Sequence, residues 1–151
     1  MDALTGRDIF KKLAKLKGIK NFLGVFAVDL IPVVVGKKPF CFIVNLDESW
    51  KTGSHWVAVY VSKNGFYFDS FGQPPPKIIK NFLDRHARNK WFFNSLKLQG
   101  DLQANCGFYC IAFLKYTSKN KLKNFYDKFK NCSVKQNSQL LLKLKTNIFK
   151  M

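Results

Sequence analysis

The stretch LQGDLQANCGFYCIAFL, residues 98–114, decides how this chain is expected to fold. From Cys106 onward it is almost wholly apolar, which predicts a helix buried on all sides. Cys106 stands at the predicted start of that helix, between Asn105 and Gly107. A cysteine in this place is either an inert core residue or a nucleophile, and the rest of the chain has to decide between the two.

The composition predicts one basic globular domain over residues 1–151. Of the 151 residues, 47% are hydrophobic and sixteen are phenylalanine, which is enough to build a core. The formal net charge of +17 predicts attraction to polyanions, namely nucleic acid, an anionic membrane face or an acidic protein. A basic surface that only confers solubility is the alternative interpretation.

Several classes of protein are not expected from this sequence. No apolar run is long enough for a membrane span, and the amphipathic N-terminus does not have the pattern of a signal peptide. Cys106 and Cys110 lie four residues apart, but no second Cys/His pair completes a metal site. The four cysteines are expected to be free thiols in a reducing intracellular compartment, with Cys110 and Cys132 in structural roles.

The order of the predicted elements indicates an α+β fold with a largely antiparallel central sheet. A helix ends before Gly18, and the prolines near residue 75 separate a strand pair from the next helix. The predicted strands cover residues 40–46, 55–62, 66–71 and 91–99, and the later helices cover residues 77–89, 106–120, 122–129 and 138–148.

A nucleophilic Cys106 needs a lowered pKa, for which a helix N-terminus and a nearby imidazolium are the two usual devices. His55 is the candidate base, because it precedes Trp56 at the start of a predicted strand, just after a loop that contains Gly53. His86 lies in a polar helical segment and is expected to be a surface residue.

An acyl-transfer site also needs a group that orients the histidine and donors for the oxyanion. Asp69 ends the strand after the one that His55 begins, so a hairpin can bring the two together. Gln99 and Gln103 both precede Cys106 and are candidate oxyanion donors, together with the backbone N–H of Cys106. Each residue alone has an ordinary structural interpretation, and the prediction rests on their joint order.

The Asn64–Gly65 pair predicts a two-residue hairpin turn that would keep His55 and Asp69 apart. In that register Asp69 lies opposite Tyr60, roughly 16 Å along the strand from the position opposite His55. The functional hypothesis therefore requires a wider loop, centred near Ser62, or a β-bulge.

These residues resemble the adenovirus-type cysteine endopeptidases (adenain), which are related to the proteases of SUMO and ubiquitin-like proteins. The similar segments are NFLGVF, FIVNLDESWKTGSHW, YFDSFG and LQGDLQANCGFYCIAFL, so the resemblance extends from the first helix to about residue 116. It implies a papain-like, adenain-like fold in which a buried helix carries the nucleophile at its N-terminus.

The resemblance also implies a role for each candidate residue. His55 followed by tryptophan matches the base, Cys106–Gly107 matches the nucleophile, and Gln99 in a QG pair matches the oxyanion donor better than Gln103 does. Asp69 stands where adenoviral enzymes have glutamate and where the SUMO proteases have aspartate. The residues expected to contact the substrate are Gly53, Trp56, Asn105 and Gly107.

The implied function is hydrolysis of peptide bonds next to glycine in viral precursor proteins during virion maturation, by a monomer in the virion and host nucleus. Adenoviral enzymes are stimulated by DNA and by a short peptide, and the net charge of +17 agrees with a DNA cofactor. Adenoviral enzymes bind the peptide covalently through a cysteine between the hairpin and the nucleophile. This chain has no cysteine between Cys41 and Cys106, so a disulfide-linked peptide is not expected.

Two other functions remain open at this point. A protease that removes SUMO or ubiquitin-like modifiers would share the same catalytic residues. A nucleic-acid-binding protein with an inert Cys106 would share the same basic surface.

Overall fold

The structure is a computed structural model that describes residues 3–33, 35–88, 90–100 and 104–150. Within these ranges the chain forms five α-helices, five β-strands and a short 3₁₀ helix at Val28–Leu30. The helices are α1 (Gly6–Lys15), α2 (Lys77–His86), α3 (Cys106–Ser118), α4 (Leu122–Phe129) and α5 (Val134–Lys150). The strands are β1 (Phe22–Ala27), β2 (Phe40–Asn45), β3 (Trp56–Val61), β4 (Gly65–Phe68) and β5 (Trp91–Phe93).

The strands form a mixed sheet in the order β1-β2-β3-β4-β5, so the predicted α+β class is confirmed. The three central strands are antiparallel, as expected, but β1 pairs parallel to β2 and β4 pairs parallel to β5. Parallel neighbours need a crossover connection, which α2 provides between β4 and β5. The sheet therefore has fewer antiparallel pairs than the sequence indicated, because both edge strands, β1 and β5, pair parallel to their neighbours.

The β3–β4 hairpin has a wider loop than the Asn64–Gly65 pair predicts. Val61 pairs with Gly65, so the loop consists of the three residues between them. The backbone N–H of Ser62 donates to the carbonyl of Asn64 at 2.8 Å and closes this loop. The two-residue turn is thus excluded, as the functional hypothesis required, and the loop is centred on Lys63, the residue next to Ser62.

The sheet buries both of its faces, which explains its nearly continuous apolar strands. Alternate residues of β2 point to opposite sides, with Cys41 and Ile43 on one face and Phe42 and Val44 on the other. The first face packs against a cluster formed by α1, α3, α4 and α5, and the second against α2. The site described below lies at the end of the sheet where β3 begins.

Helix α3 is the central helix, and it is buried as its apolar sequence predicts. All of its residues except Tyr116 are buried, and it packs against β3 on one side and against α1, α4 and α5 on the others. It begins at Cys106, so the predicted position of this cysteine at the helix N-terminus is confirmed. The helix thereby directs its partial positive charge at the thiol.

The remaining elements differ from the predictions mainly in their bounds. The predicted strand over residues 91–99 is limited to the three residues of β5, and the last helix begins at Val134 rather than near Ser138. Helix α4 has the predicted bounds. Over the residues that can be described, we find no helix with the length and apolar character of a membrane span.

His86 was predicted to be a surface residue, but it is only partly exposed. Its ring packs against Phe82, with centroids 4.4 Å apart, and edge-on against Phe40 at 6.2 Å. Burial lowers the pKa of His86, with a further contribution from the charge of Arg85. His86 lies at the C-terminus of α2, where it helps to pack that helix on the sheet.

Candidate active site

His55 and Asp69 form a buried hydrogen-bonded pair at one end of the sheet. Nε2 of His55 lies 2.7 Å from Oδ1 of Asp69, and the two residues are only 9% and 2% exposed. Continued past Phe68, the hairpin register places Asp69 opposite Val57. Asp69 is therefore a diagonal neighbour of His55, and diagonal side chains in an antiparallel pair can reach each other. The wider loop makes this contact possible.

Backbone hydrogen bonds hold Asp69 in place. The Oδ1 atom of Asn94 accepts the backbone N–H of Asp69 at 3.0 Å, while the Asn94 amide donates to the Asp69 carbonyl at 2.6 Å. The backbone N–H of Phe71 donates to Oδ1 of Asp69 at 2.8 Å. The carboxylate thus accepts from both Phe71 and His55 and has a fixed orientation toward the imidazole.

The Phe71 ring covers the imidazole of His55. The two rings are stacked, with centroids 4.4 Å apart and planes inclined by 16°. Phe71 lies in the turn that follows β4, two residues after Asp69. The stack limits rotation of the imidazole and shields its hydrogen bond to Asp69 from water.

Cys106 lines the same cleft as His55, and the imidazole influences its thiol. Burial raises the pKa of the Cys106 thiol, but the His55 hydrogen bond, the Trp56 backbone N–H and the imidazolium charge together hold it below its usual range. Burial also disfavours the charged form of His55 and by itself lowers the pKa of that residue. The interactions of His55 with Asp69 and Cys106 outweigh burial and raise its pKa to about 9. The lowered pKa of Cys106 and the raised pKa of His55 both favour a thiolate–imidazolium pair near neutral pH.

Gln99 lies beside the same group of side chains. It is 1% exposed, and its Oε1 atom accepts a hydrogen bond from the Ser70 hydroxyl at 2.6 Å. The backbone N–H groups of Leu98 and Gln99 both donate to the carbonyl of Ser70, at 2.8 and 3.0 Å. Gln103, the other predicted oxyanion donor, lies outside the described residues.

A cleft of about 950 Å³ opens over these residues. His55, Gln99 and Cys106 all line it, so the structure brings three of the four predicted catalytic residues to one surface and places Asp69 behind His55. Trp56 and Gly53 line the cleft as well. Most of the other residues along its walls belong to the start of α1, to β1 and to the loop before β3.

Gly53 and Trp56 lie where contact with a substrate is possible. Gly53 has a φ of +91°, and a Cβ atom there would lie 2.9 Å from Nδ2 of Asn45. Glycine therefore allows the loop to pack tightly before His55. The Trp56 indole donates to the carbonyl of Leu4 at 3.0 Å, which fixes its ring at the cleft wall.

The structure does not bring Asn105 and Gly107 into the cleft as the sequence-based prediction expected. The Asn105 amide donates to the hydroxyl of Ser138 on α5 at 3.0 Å. A Cβ atom on Gly107 would lie 3.2 Å from Ile9 and 3.3 Å from Leu4, so this glycine allows α1 to pack closely on α3. Both residues face neighbouring helices because they lie on the packed side of the helix start.

Sequence reasoning missed Asn94 and Ser70. Asn94 follows a short aromatic strand, and its sequence gives no sign of a contact with Asp69. Ser70 lies inside the FDSFG segment that indicated the acid, but its bond to Gln99 joins residues 29 positions apart. Only the fold brings these partners together.

Two of the other cysteines, Cys41 and Cys110, have thiols that are less acidic than usual. Burial raises the pKa of Cys41 to about 12 and raises that of Cys110 well above its usual range. Cys41, Cys106, Cys110 and Cys132 are all free thiols. Across residues 3–33, 35–88, 90–100 and 104–150, no group of three or more His, Cys, Asp or Glu side chains is arranged to hold a metal ion.

The fold is the α+β, papain-like fold of the adenain-like cysteine proteases. A crystal structure of a protease from African swine fever virus superposes with a TM-score of 0.66 at 20% identity, over 97% of this chain and 67% of that one. No protein-family model matches the chain.

Curated viral proteins are similar to the chain in sequence. The bovine adenovirus 7 protein named "Protease" is 27% identical over 148 residues, which span 87% of this chain and 71% of the relative. The African swine fever virus protein named "SUMO-1 cysteine protease" is 29% identical over 98 residues, which span 54% of this chain and 36% of the relative. The predicted resemblance to adenovirus-type cysteine endopeptidases is confirmed, although the chain matches only about a third of the swine fever virus protein.

Proposed function

We propose that the chain is a cysteine endopeptidase with Cys106 as nucleophile, His55 as general base and acid, and Asp69 as the residue that orients His55. The observation that carries this proposal is the buried hydrogen bond between His55 and Asp69 at an open cleft that the Cys106 thiol, with its lowered pKa, also lines. Named relatives that are proteases or thiol proteases support the same reaction.

The reaction begins with attack of the Cys106 thiolate on the carbonyl carbon of the scissile peptide bond. Asp69 accepts a hydrogen bond from Nε2 of His55, so Nδ1 is the ring nitrogen that remains for the thiol and for the leaving group. The imidazolium donates its proton to the leaving amine, and the C–N bond breaks to give an acyl-enzyme. The neutral imidazole then takes a proton from water, whose oxygen attacks the thioester and releases Cys106.

The carbonyl oxygen becomes negatively charged in both tetrahedral intermediates and needs hydrogen-bond donors. The backbone N–H of Cys106, at the start of α3, is one donor in this proposal. The side-chain amide of Gln99 is the other, because Gln99 lines the cleft beside Cys106. Removal of one such donor typically costs about 10²–10³-fold in rate.

The proposed substrates are viral precursor proteins cut next to glycine during virion maturation. This part rests on the resemblance to adenovirus-type enzymes, which also suggests a monomer that acts in the virion and the reducing host nucleus. The direct test is hydrolysis of a fluorogenic peptide library with and without glycine before the scissile bond. We expect cleavage of the glycine peptides by wild type and none by Cys106→Ala. A wild-type chain that cleaves no peptide would contradict the proposal.

Removal of a SUMO-like modifier is the alternative function, since the swine fever virus relative is named as a SUMO-1 protease. The two functions differ in how much of the substrate is recognised. A deconjugating enzyme cleaves an intact modifier–fluorophore conjugate much faster than the matching short C-terminal peptide. An endopeptidase cleaves both at similar rates, so the ratio of the two rates decides between them.

DNA is the proposed activator, and the net charge of +17 supports it. Lysine and arginine side chains that neutralise phosphates give affinity without sequence preference, and this affinity falls steeply as salt rises. We expect duplex DNA of any sequence to bind with a strong salt dependence and to raise the hydrolysis rate. A peptide cofactor would have to bind without a disulfide between Cys41 and Cys106, because that segment has no cysteine.

A further inference from the structure

Ser70 is a buried residue for which the reaction above has no use. It is 0% exposed and lies directly after Asp69 in the turn that ends β4. Its hydroxyl donates to Oε1 of Gln99 at 2.6 Å, which is short for such a bond. Its carbonyl accepts the backbone N–H of Gln99 at 3.0 Å. Ser70 therefore holds Gln99 at both its backbone and its side chain.

The orientation of the Gln99 amide decides whether this side chain can stabilise an anion. An amide has a carbonyl end that accepts hydrogen bonds and an NH₂ end that donates them. Rotation of the amide by half a turn would present its oxygen to the developing oxyanion, and the two oxygens would repel each other. The Ser70 hydroxyl pairs with the carbonyl end and thus fixes the NH₂ end as the donor.

The same turn also fixes the histidine. Asp69 bonds to His55, the Gly72 backbone N–H donates to the Asp69 carbonyl at 2.8 Å, and Phe71 stacks on the imidazole. One four-residue turn, DSFG, thus supports the proton-transfer residue through its first and third positions. Its second position supports the proposed oxyanion donor.

We propose that Ser70 is a positioning residue that orients the Gln99 amide toward the oxyanion, and that the turn from Asp69 to Gly72 aligns both halves of the site. This inference rests on the proposed function. Ser70 then contributes to stabilisation of the oxyanion through Gln99 but not to activation of Cys106.

The test compares two reactions of the same thiol in wild type, Ser70→Ala, Gln99→Ala and the double variant. Peptide hydrolysis develops an oxyanion, whereas alkylation of Cys106 by iodoacetamide does not. We expect Ser70→Ala to lower kcat by about 10- to 100-fold with KM within about twofold of wild type. We expect its alkylation rate to stay within about twofold of wild type. The double variant should be no slower than Gln99→Ala, because both changes remove one interaction.

Ser62→Ala is the matched control, since it removes a turn hydroxyl that bonds the Asn64 carbonyl far from the cleft, and it should hydrolyse like wild type. The inference is overturned if Ser70→Ala hydrolyses at the wild-type rate, or if its hydrolysis and alkylation fall by the same factor. If Ser70→Ala loses cooperative unfolding, Ser70→Cys replaces it, because sulfur fills the space but donates weakly. A wild-type chain without hydrolysis would instead overturn the proposed function, and this inference with it.

Discussion

Nε2 of His55 lies 2.7 Å from Oδ1 of Asp69, although the two residues are not directly opposite each other in the β3–β4 hairpin. The three-residue loop sets a register that places Asp69 opposite Val57. Strand β4 ends at Phe68, and the following turn directs the Asp69 carboxylate diagonally toward the imidazole. The pairing therefore depends on where the loop lies and on where the strand ends.

Replacing Asp69 by asparagine is expected to slow peptide hydrolysis by about 10²–10⁴-fold without unfolding the chain. Asparagine keeps the shape but removes the charge that favours the imidazolium. Because bonding to Asp69 helps to raise the pKa of His55 to about 9, the alkaline limb of the pH profile should move from near pH 9 to lower pH. Rates measured from pH 5 to 10 provide the check.

Asp127→Asn is the control for that change, because Asp127 forms an exposed pair with Lys123 at 2.9 Å on α4. It should leave both the rate and the alkaline limb unchanged. An Asp69→Asn variant with the wild-type rate and pH profile would show that Asp69 does not orient His55 for catalysis.

Asn94→Ala is expected to lower the free energy of unfolding by about 1–3 kcal/mol, because it leaves the buried N–H of Asp69 unpaired and removes one of the two hydrogen bonds to the Asp69 carbonyl. It should also lower hydrolysis, since Asp69 would lose its support. Urea denaturation measures the first effect. The control is Asn124→Ala on the exposed face of α4, which should shift stability by less than about 0.5 kcal/mol. Equal stabilities for the two variants would contradict the proposed support of Asp69.

Gly53→Ala is expected to disturb the loop before His55 and to reduce activity. The φ of +91° costs an L-residue about 1–3 kcal/mol, and the new Cβ would lie 2.9 Å from Asn45. Gly36→Ala is the matched control, because a Cβ atom at Gly36 meets nothing within 4 Å. Thermal unfolding and peptide hydrolysis of both variants check the prediction. Two variants with the same activity would show that the loop geometry before His55 does not matter.

Much of this fold could be predicted because its elements have local signals. The apolar run after Cys106 specified the central helix and its start, and Trp56 and its neighbours indicated a buried strand. The candidate base, acid and nucleophile followed from their places at the ends of such elements.

The contacts that complete the site could not be predicted, because they join residues far apart in sequence. Asn94 bonds Asp69 across 25 positions, and Ser70 bonds Gln99 across 29. The parallel pairing of β5 and the loop centred on Lys63 depend on packing rather than on turn residues. Gly107 lies against α1 rather than in the cleft, because a glycine beside a nucleophile serves helix packing as readily as substrate approach.

Activation of Cys106 by His55 can be measured as the pH dependence of Cys106 alkylation. Iodoacetamide reacts with thiolate, so the rate reports how much thiolate is present at each pH. His55, with a pKa raised to about 9, remains protonated through neutral pH and holds the Cys106 pKa below its usual range. We expect fast alkylation that persists well below pH 8 in wild type and is lost in His55→Ala. A rate that follows an ordinary thiol of pKa about 8.5, the same in both proteins, would contradict it.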